Sequence, residues 1–110
     1  MLYKFKSQAT ADLIMLEPNG RQILELIGKS DAAALAKGIL LPQDMPTAIT
    51  ALERAVAQDE EAQQERMRAA LAAREKLPRS DVVTLRQRAA PFLDMLRRSH
   101  AADKEVVWGV

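Results

Sequence analysis

The chain has 110 residues, of which 48% are hydrophobic, and its sixteen basic and fifteen acidic residues nearly balance. This length fits one domain with one buried core, and the charge balance gives no global attraction to nucleic acid or anionic lipid. Cysteine is absent, which excludes disulfides and thiolate metal sites and fits a reducing compartment. No apolar stretch approaches the ~20 residues that cross a bilayer. We therefore expect a cytoplasmic protein of one domain, residues 1–110, with no membrane partner.

The first residues have the pattern of a β-hairpin. Residues 2–6, LYKFK, alternate between aromatic and lysine side chains, as in a strand with one face in water. Residues 12–17, DLIMLE, are apolar on both faces, which is typical of a strand that is covered on both sides or lies centrally in a sheet. The polar link SQATA between them has the length of a hairpin connection. We therefore predict an antiparallel pair of strands.

The sequence PNG at residues 18–20 marks the start of a short helix. Asn19 is expected to cap this helix with its side-chain oxygen, and Gly28 is a typical end. The stretch DAAALAKG then predicts a further helical turn that ends at Gly38. Residues 39–41 are an apolar patch, held extended because a proline follows.

A long helix is predicted from Pro46, a typical first-turn residue, because neither proline nor glycine recurs before Leu77. Its core-facing apolar stripe ends at Val56. The following residues, AQDEEAQQER at 57–66, have high helix propensity but only alanine as apolar content.

This helix is too long for a compact domain of the same chain. A straight helix over residues 46–77 is about 48 Å long, whereas a domain of this length has a radius of gyration of about 13 Å. The helix must project into solvent, break near residues 58–64, or lie against a second chain. We therefore expect residues 57–80 to be a projecting or variable segment.

A second long helix is predicted near the C-terminus. Thr84 and Gln87 have the spacing of a capping box, and apolar residues then recur at helical spacing to about Ala102. Pro91 lies inside this pattern and predicts a kink. An alternative begins the helix at Pro91 and makes residues 82–85 a strand.

The only tryptophan, Trp108, is the third residue from the end of the chain. Residues 105–108, EVVW, have the pattern of a strand with Val106 and Trp108 on one face. Pairing with the N-terminal hairpin buries the indole; the alternative is an exposed tryptophan that binds a partner. The fold class is α+β, with a small antiparallel sheet of the hairpin plus this strand, packed against about three helices, one of them long.

Several segments occur in an order that resembles a known family. They are MLYKFKS, LIML-x-PNG, IGK at 27–29, MP-x-AI at 45–49, LRQRA-x-P at 85–91 and the final VVWGV. Together they resemble a small bacterial family described as domain of unknown function 1840, over nearly the whole chain. The resemblance implies a bacterial origin and a variable stretch at residues 57–80. It implies no activity, cofactor or catalytic residue.

The residue pattern supports neither catalysis nor a metal site. His100 is the only histidine, and the adjacent Ser99 points about 100° away on a helix, so the two do not form a dyad. A metal site without cysteine requires carboxylates, but Asp59, Glu60 and Glu61 are spread around a helix axis. We therefore expect no enzyme activity, no cofactor and no metal.

The sequence does not identify a biochemical function, but it favours a non-enzymatic interaction or structural protein that acts as a homo-oligomer. The overlong helix carries Met67 and Leu71, four residues apart, which form an apolar strip suited to a second copy. These two are the candidate interaction residues for self-association.

Two alternative functions remain open. The helix at 85–98 is basic, and Arg86 and Arg97 lie about 20° apart on it, so nucleic-acid binding is one alternative. The other is a small-molecule pocket near Tyr3, Trp108 and His100.

Overall fold

The structure is a computed structural model that describes residues 2–73 and 84–109. Within these ranges the elements are β1 (Leu2–Ser7), β2 (Leu13–Leu16), α1 (Glu17–Leu26), α2 (Ala32–Ala36), β3 (Gly38–Leu40), α3 (Met45–Ala72), α4 (Leu85–Ala101) and β4 (Val106–Trp108). A 3₁₀ turn, Pro42–Asp44, leads into α3. The predicted α+β class is confirmed.

The four described strands form one antiparallel sheet in the order β2-β1-β4-β3. The predicted hairpin and the predicted pairing of the C-terminal strand with it are confirmed, because β1 lies between β2 and β4. The edge strand β3 was not predicted as a strand. Residues 39–41 were expected to be an extended apolar patch, and Ile39 pairs with Val107 of β4.

One cluster of buried apolar side chains fills the space between the sheet and the helices. Three aromatic rings lie in it: the ring centroid of Phe5 is 4.9 Å from that of Phe92 and 6.0 Å from that of Trp108. The predicted burial of Trp108 by strand pairing is confirmed, and the alternative of an exposed tryptophan is wrong. The single domain expected for residues 1–110 stays a prediction.

The junction of β2 and α1 differs from the prediction. Helix α1 begins at Glu17, directly after β2, with Pro18 in its first turn, where a proline is favourable. The predicted capping role of Asn19 is therefore wrong, because Asn19 lies within the helix. The prediction that β2 is covered on both faces or lies centrally is wrong as well, since Ile14 and Leu16 are 57% and 61% exposed and β2 is at the edge of the sheet.

Helix α3 is continuous from Met45 to Ala72, with Pro46 in its first turn as predicted. The predicted alternative of a break near residues 58–64 is wrong. The predicted end at Leu77 lies outside the described residues. At about 1.5 Å per residue the 28 residues of α3 span about 42 Å, in a molecule that measures 50 × 28 × 25 Å.

Helix α4 begins after a capping box in which Oγ1 of Thr84 accepts from the backbone N–H of Gln87. The reciprocal bond runs from the N–H of Thr84 to Oε1 of Gln87. Pro91 lies inside the helix, as predicted. The alternative strand at 82–85 is wrong at Leu85, which is helical, and its first two residues lie outside the described ranges.

Candidate interaction surface

Helix α3 leaves the hydrophobic core after Val56, which is the last buried residue on it. We call residues 57–72 of α3 the distal helix. Met67 and Leu71 on this segment are 55% and 59% exposed. Met67 follows Val56 by 11 residues, which is about three helical turns. Met67 and Leu71 therefore lie on the same face of α3 as Val56, with Glu60 and Gln63 between them on that face.

Local interactions within the distal helix support it outside the core. The side-chain amide Nε2 of Gln63 donates to Oδ2 of Asp59 at 3.0 Å, and Arg68 pairs with Glu65 at 3.5 Å. Such pairs at i,i+3 and i,i+4 each contribute about 0.2–0.5 kcal/mol. Together with the alanine, glutamine and glutamate content they account for a helix that few tertiary contacts hold.

Charged residues flank the apolar strip of the distal helix in an ordered way. At about 100° per residue, Glu61 and Arg68 lie about 100–120° to one side of Met67. Asp59 and Arg66 lie about 80–100° to its other side. On each flank an acid therefore precedes a base along the chain, seven residues apart.

Two ion pairs join α3 to α4 close to the start of the distal helix. Nε of Arg86 donates to Oε1 of Glu60, and Nη2 of Arg97 donates to Oε1 of Glu53 at 2.6 Å. The hydrogen bond from Arg86, aided by its charge, lowers the pKa of Glu60 below its ordinary value, and the pKa of Arg86 is raised by the same contact. A cavity of about 390 Å³ lies beside these pairs, and Val56 is one of the residues that line it.

The ion pairs bear on the prediction that the basic helix binds nucleic acid. Arg86 and Arg97 are the residues expected to contact phosphates, and the structure turns both toward acids of α3. Arg98 pairs with Asp94 on α4 itself at 3.3 Å. Arg88 instead contacts two neutral amides of α1. Three of these four arginines thus have a carboxylate partner within the protein, which weakens the case for a phosphate-binding surface.

Of the three residues expected to line a small-molecule pocket, Tyr3, Trp108 and His100, only Tyr3 lines a cleft described here. A cleft of about 450 Å³ lies between β1, α1 and α2, and Tyr3 lines it with Arg21 and Leu35. Trp108 is buried beneath the sheet surface, where its indole Nε1 donates to the carbonyl oxygen of Ala34. His100 is exposed on α4 and does not line this cleft.

The outer face of the sheet is a second exposed apolar surface, which was not predicted from the sequence. Leu2 is the cross-strand partner of Leu16, and both are exposed on this face together with Ile14 and Ile39. The alternation in LYKFK contained the signal, because it places Leu2 on the same side as the lysines. The flanking leucine was not counted in that pattern.

The described parts of the chain contain neither a helix suited to a membrane span nor a cluster of side chains suited to a metal ion. None of the helices in residues 2–73 and 84–109 combines the length and the apolar content needed to cross a bilayer. Within the same ranges, no three or more His, Cys, Asp or Glu side chains converge in a way that suits a metal ion.

The fold and this surface define a small α+β protein with a four-stranded antiparallel sheet and a helix that extends past its core. The family model described as Domain of unknown function (DUF1840) matches residues 1–108. The chain belongs to this family, as its segment order indicated. No curated protein and no solved structure matches it. The bacterial origin and cytoplasmic location expected from the sequence stay predictions.

Proposed function

We propose that the protein is a non-enzymatic interaction or structural protein that acts as a homodimer, with the distal helices of two copies packed antiparallel. The observation that supports this proposal is the exposure of Met67 and Leu71 on the face of α3 that packs in the core nearer the start of the helix. A two-fold axis brings the same strip of both copies together, as in most homodimers.

The charge order of the distal helix favours a second copy as the occupant. In an antiparallel pair, a two-fold axis places the same flank of each helix side by side. Glu61 of one copy then faces Arg68 of the other, and Asp59 faces Arg66. Both pairs are satisfied when the helices cross near residues 63–64, so one register serves both flanks.

The same register gives the apolar residues a partner. Met67 lies near the crossing point beside Gln63 of the partner helix, and Leu71 lies toward the start of the partner's distal helix, next to its pair of Glu60 and Arg86. The 16 residues of the distal helix span about 24 Å. This contact is at the small end of specific interfaces, so we expect dimerisation at micromolar concentration.

Sedimentation equilibrium of two complementary charge variants tests the proposal. The acidic variant carries Arg66→Glu and Arg68→Glu, and the basic variant carries Asp59→Lys and Glu61→Lys. Each variant alone places like charges on both flanks, so we expect each to be a monomer of about the chain mass of 12.2 kDa. Mixed together they restore both pairs, so we expect a heterodimer.

The control variant is Arg54→Glu, which changes the charge of α3 at an exposed position before the distal helix. We expect it to dimerise like the unaltered protein. A monomeric unaltered protein at all concentrations would overturn the proposal. Dimers that persist in both charge variants would overturn the antiparallel arrangement and assign the contact to another surface. Circular dichroism of each variant verifies that the helix is retained.

Nucleic-acid binding through the helix at 85–98 and binding of a small molecule stay predictions. The internal ion pairs of Arg86 and Arg97 count against the first. The cleft beside Tyr3 is compatible with the second, although it includes only one of the three residues expected there.

A further inference from the structure

We propose that Arg88, Asn19 and Gln22 form a binding site for a small oxyanion, namely the carboxylate or phosphate group of a small molecule. The three side chains meet where α4 contacts α1, away from the distal helix. Nη1 of Arg88 donates to Oδ1 of Asn19 at 3.2 Å and to Oε1 of Gln22 at 2.5 Å. All three residues are half-buried.

The positive charge of Arg88 is positioned but not neutralised. Arg86, Arg97 and Arg98 each form an ion pair with a carboxylate. Arg88 has no such pair within the described residues, where its hydrogen-bond partners are the two amides. A guanidinium stays protonated at any physiological pH. Partial burial strengthens its attraction for an anion, because the surrounding dielectric is lower than that of water.

The N–H groups of this cluster form a donor set that suits an oxyanion. Both amides direct their oxygens at Nη1, because a guanidinium has no acceptor to offer. The edge formed by Nε and Nη2 carries neither amide, and Nε is buried without a hydrogen-bond partner among the described residues. Because Nε is covered by the protein, Nη2 is the group left to donate its N–H bonds to an oxygen of a carboxylate or a phosphate.

Asn19 lies in the first turn of α1, which begins at Glu17. The partial positive charge of a helix N-terminus is offset here by the carboxylate of Glu17 in the same turn, so the charge of Arg88 carries the preference for a negative ligand. Half-burial at a helix junction restricts access, so the ligand group is small.

Nuclear magnetic resonance titration of the full chain tests the site. The probes are sodium phosphate and sodium succinate, each added at constant ionic strength maintained with sodium chloride. We expect saturable shifts of the Arg88 Nε–H signal and of the side-chain NH₂ signals of Asn19 and Gln22. Shifts with phosphate alone assign a phosphate ligand, and shifts with succinate alone assign a carboxylate ligand; either result supports the site.

Arg88→Gln removes the guanidinium, and Arg98→Gln is the matched control on the same helix with the same change of charge. We expect the dissociation constant to rise at least about tenfold in the first variant and to stay unchanged in the second. If Arg88→Gln fails to fold, Arg88→Lys keeps the charge but loses the planar fork, and we expect it to bind more weakly as well.

Two results would overturn the site. One is the absence of saturable shifts with both anions. The other is an equal loss of binding in the Arg88 and Arg98 variants, which would indicate general charge attraction. Both are independent of the oligomeric state, so this test and the test of the distal helix can fail separately.

Discussion

The indole Nε1 of Trp108 donates a hydrogen bond of 2.7 Å to the carbonyl oxygen of Ala34, which lies 74 residues earlier in the chain. Ala34 belongs to the short helix α2, and its carbonyl is among the last four, which have no partner within their helix. The C-terminal strand therefore completes the end of α2 while its tryptophan fills the core. This contact explains why the third residue from the end of the chain is a large aromatic.

Replacement of Trp108 by alanine is expected to destabilise the protein by about 3–5 kcal/mol, because it removes a fully buried ring and leaves a cavity. Urea denaturation followed by circular dichroism measures the change. Trp108→Phe is the matched comparison, since it keeps an aromatic ring but leaves the carbonyl of Ala34 without its donor. We expect a smaller loss, of about 1–3 kcal/mol. An alanine variant as stable as the unaltered protein would contradict the assignment of this residue to the core.

Gly38 is expected to tolerate no side chain, because the indole lies directly over it. A Cβ at this position would lie 2.5 Å from Cζ2 of Trp108 and 3.1 Å from the carbonyl oxygen of Ala34. We expect Gly38→Ala to cost about 1–3 kcal/mol of unfolding free energy.

A double-mutant cycle isolates the cause of the Gly38 effect. In the Trp108→Phe background the ring is shorter, so the penalty of Gly38→Ala is expected to fall. Equal penalties in the two backgrounds would contradict the ring contact and would point to the backbone of β3 instead.

The sequence predicted those parts of the fold that local pattern determines. The alternation in β1 and the spacing from Thr84 to Gln87 are readable because each involves residues near one another in the chain. The strand β3 was missed because three residues carry too short a pattern, and its partner Val107 lies far away in the sequence. The start of α1 was predicted too late. The sequence offers both a capping asparagine, Asn19, and a first-turn proline, Pro18, and the helix in fact begins before both of them, at Glu17.

The candidate site was predictable to a similar extent. Met67 and Leu71 were identified because their helical spacing lacks enough apolar neighbours to form a core face. The carboxylate partners of the arginines were not identified from the sequence, since Glu60 and Arg86, for example, are 26 residues apart on different helices. Charge pairing between elements depends on how the helices pack, and no periodicity in one element reports it. Arg88 was noted only as part of a basic helix for this reason.

The capping box at the start of α4 is expected to contribute measurably to stability. Thr84→Ala removes the oxygen that accepts from the N–H of Gln87, and we expect a loss of about 1 kcal/mol. Thr84→Ser keeps this oxygen and is expected to retain most of the stability. Thr50→Ala is the control, because the hydroxyl of Thr50 is exposed and only donates within α3. Denaturant titration compares the variants, and equal losses at the two threonines would contradict a specific capping effect.

Nucleic acid is expected to bind weakly or not at all through α4. Binding of a phosphate by Arg86 or Arg97 requires that the guanidinium first leave its carboxylate on α3. Gel retardation of duplex DNA and of RNA at low salt measures the affinity, with the Arg86→Ala/Arg97→Ala variant as comparison. Retardation that this variant abolishes would contradict the expectation and restore the nucleic-acid alternative.

The pair formed by Glu60 and Arg86 predicts a dependence of stability on acid. The hydrogen bond from Arg86 lowers the pKa of Glu60 in the folded protein relative to the unfolded chain. The carboxylate therefore stabilises the fold above the unfolded-state pKa of about 4.3, and the stabilisation disappears as the pH falls through the folded-state pKa. We expect Glu60→Gln to lower the melting temperature slightly near neutral pH and to lose this effect once the pH is below the folded-state pKa of Glu60, where the carboxyl group is uncharged like the amide. The control is Glu25→Gln, at an exposed position on α1, and it is expected to show no such change. A difference between Glu60→Gln and the unaltered protein that stays constant from neutral to acid pH would exclude the ion pair as its cause.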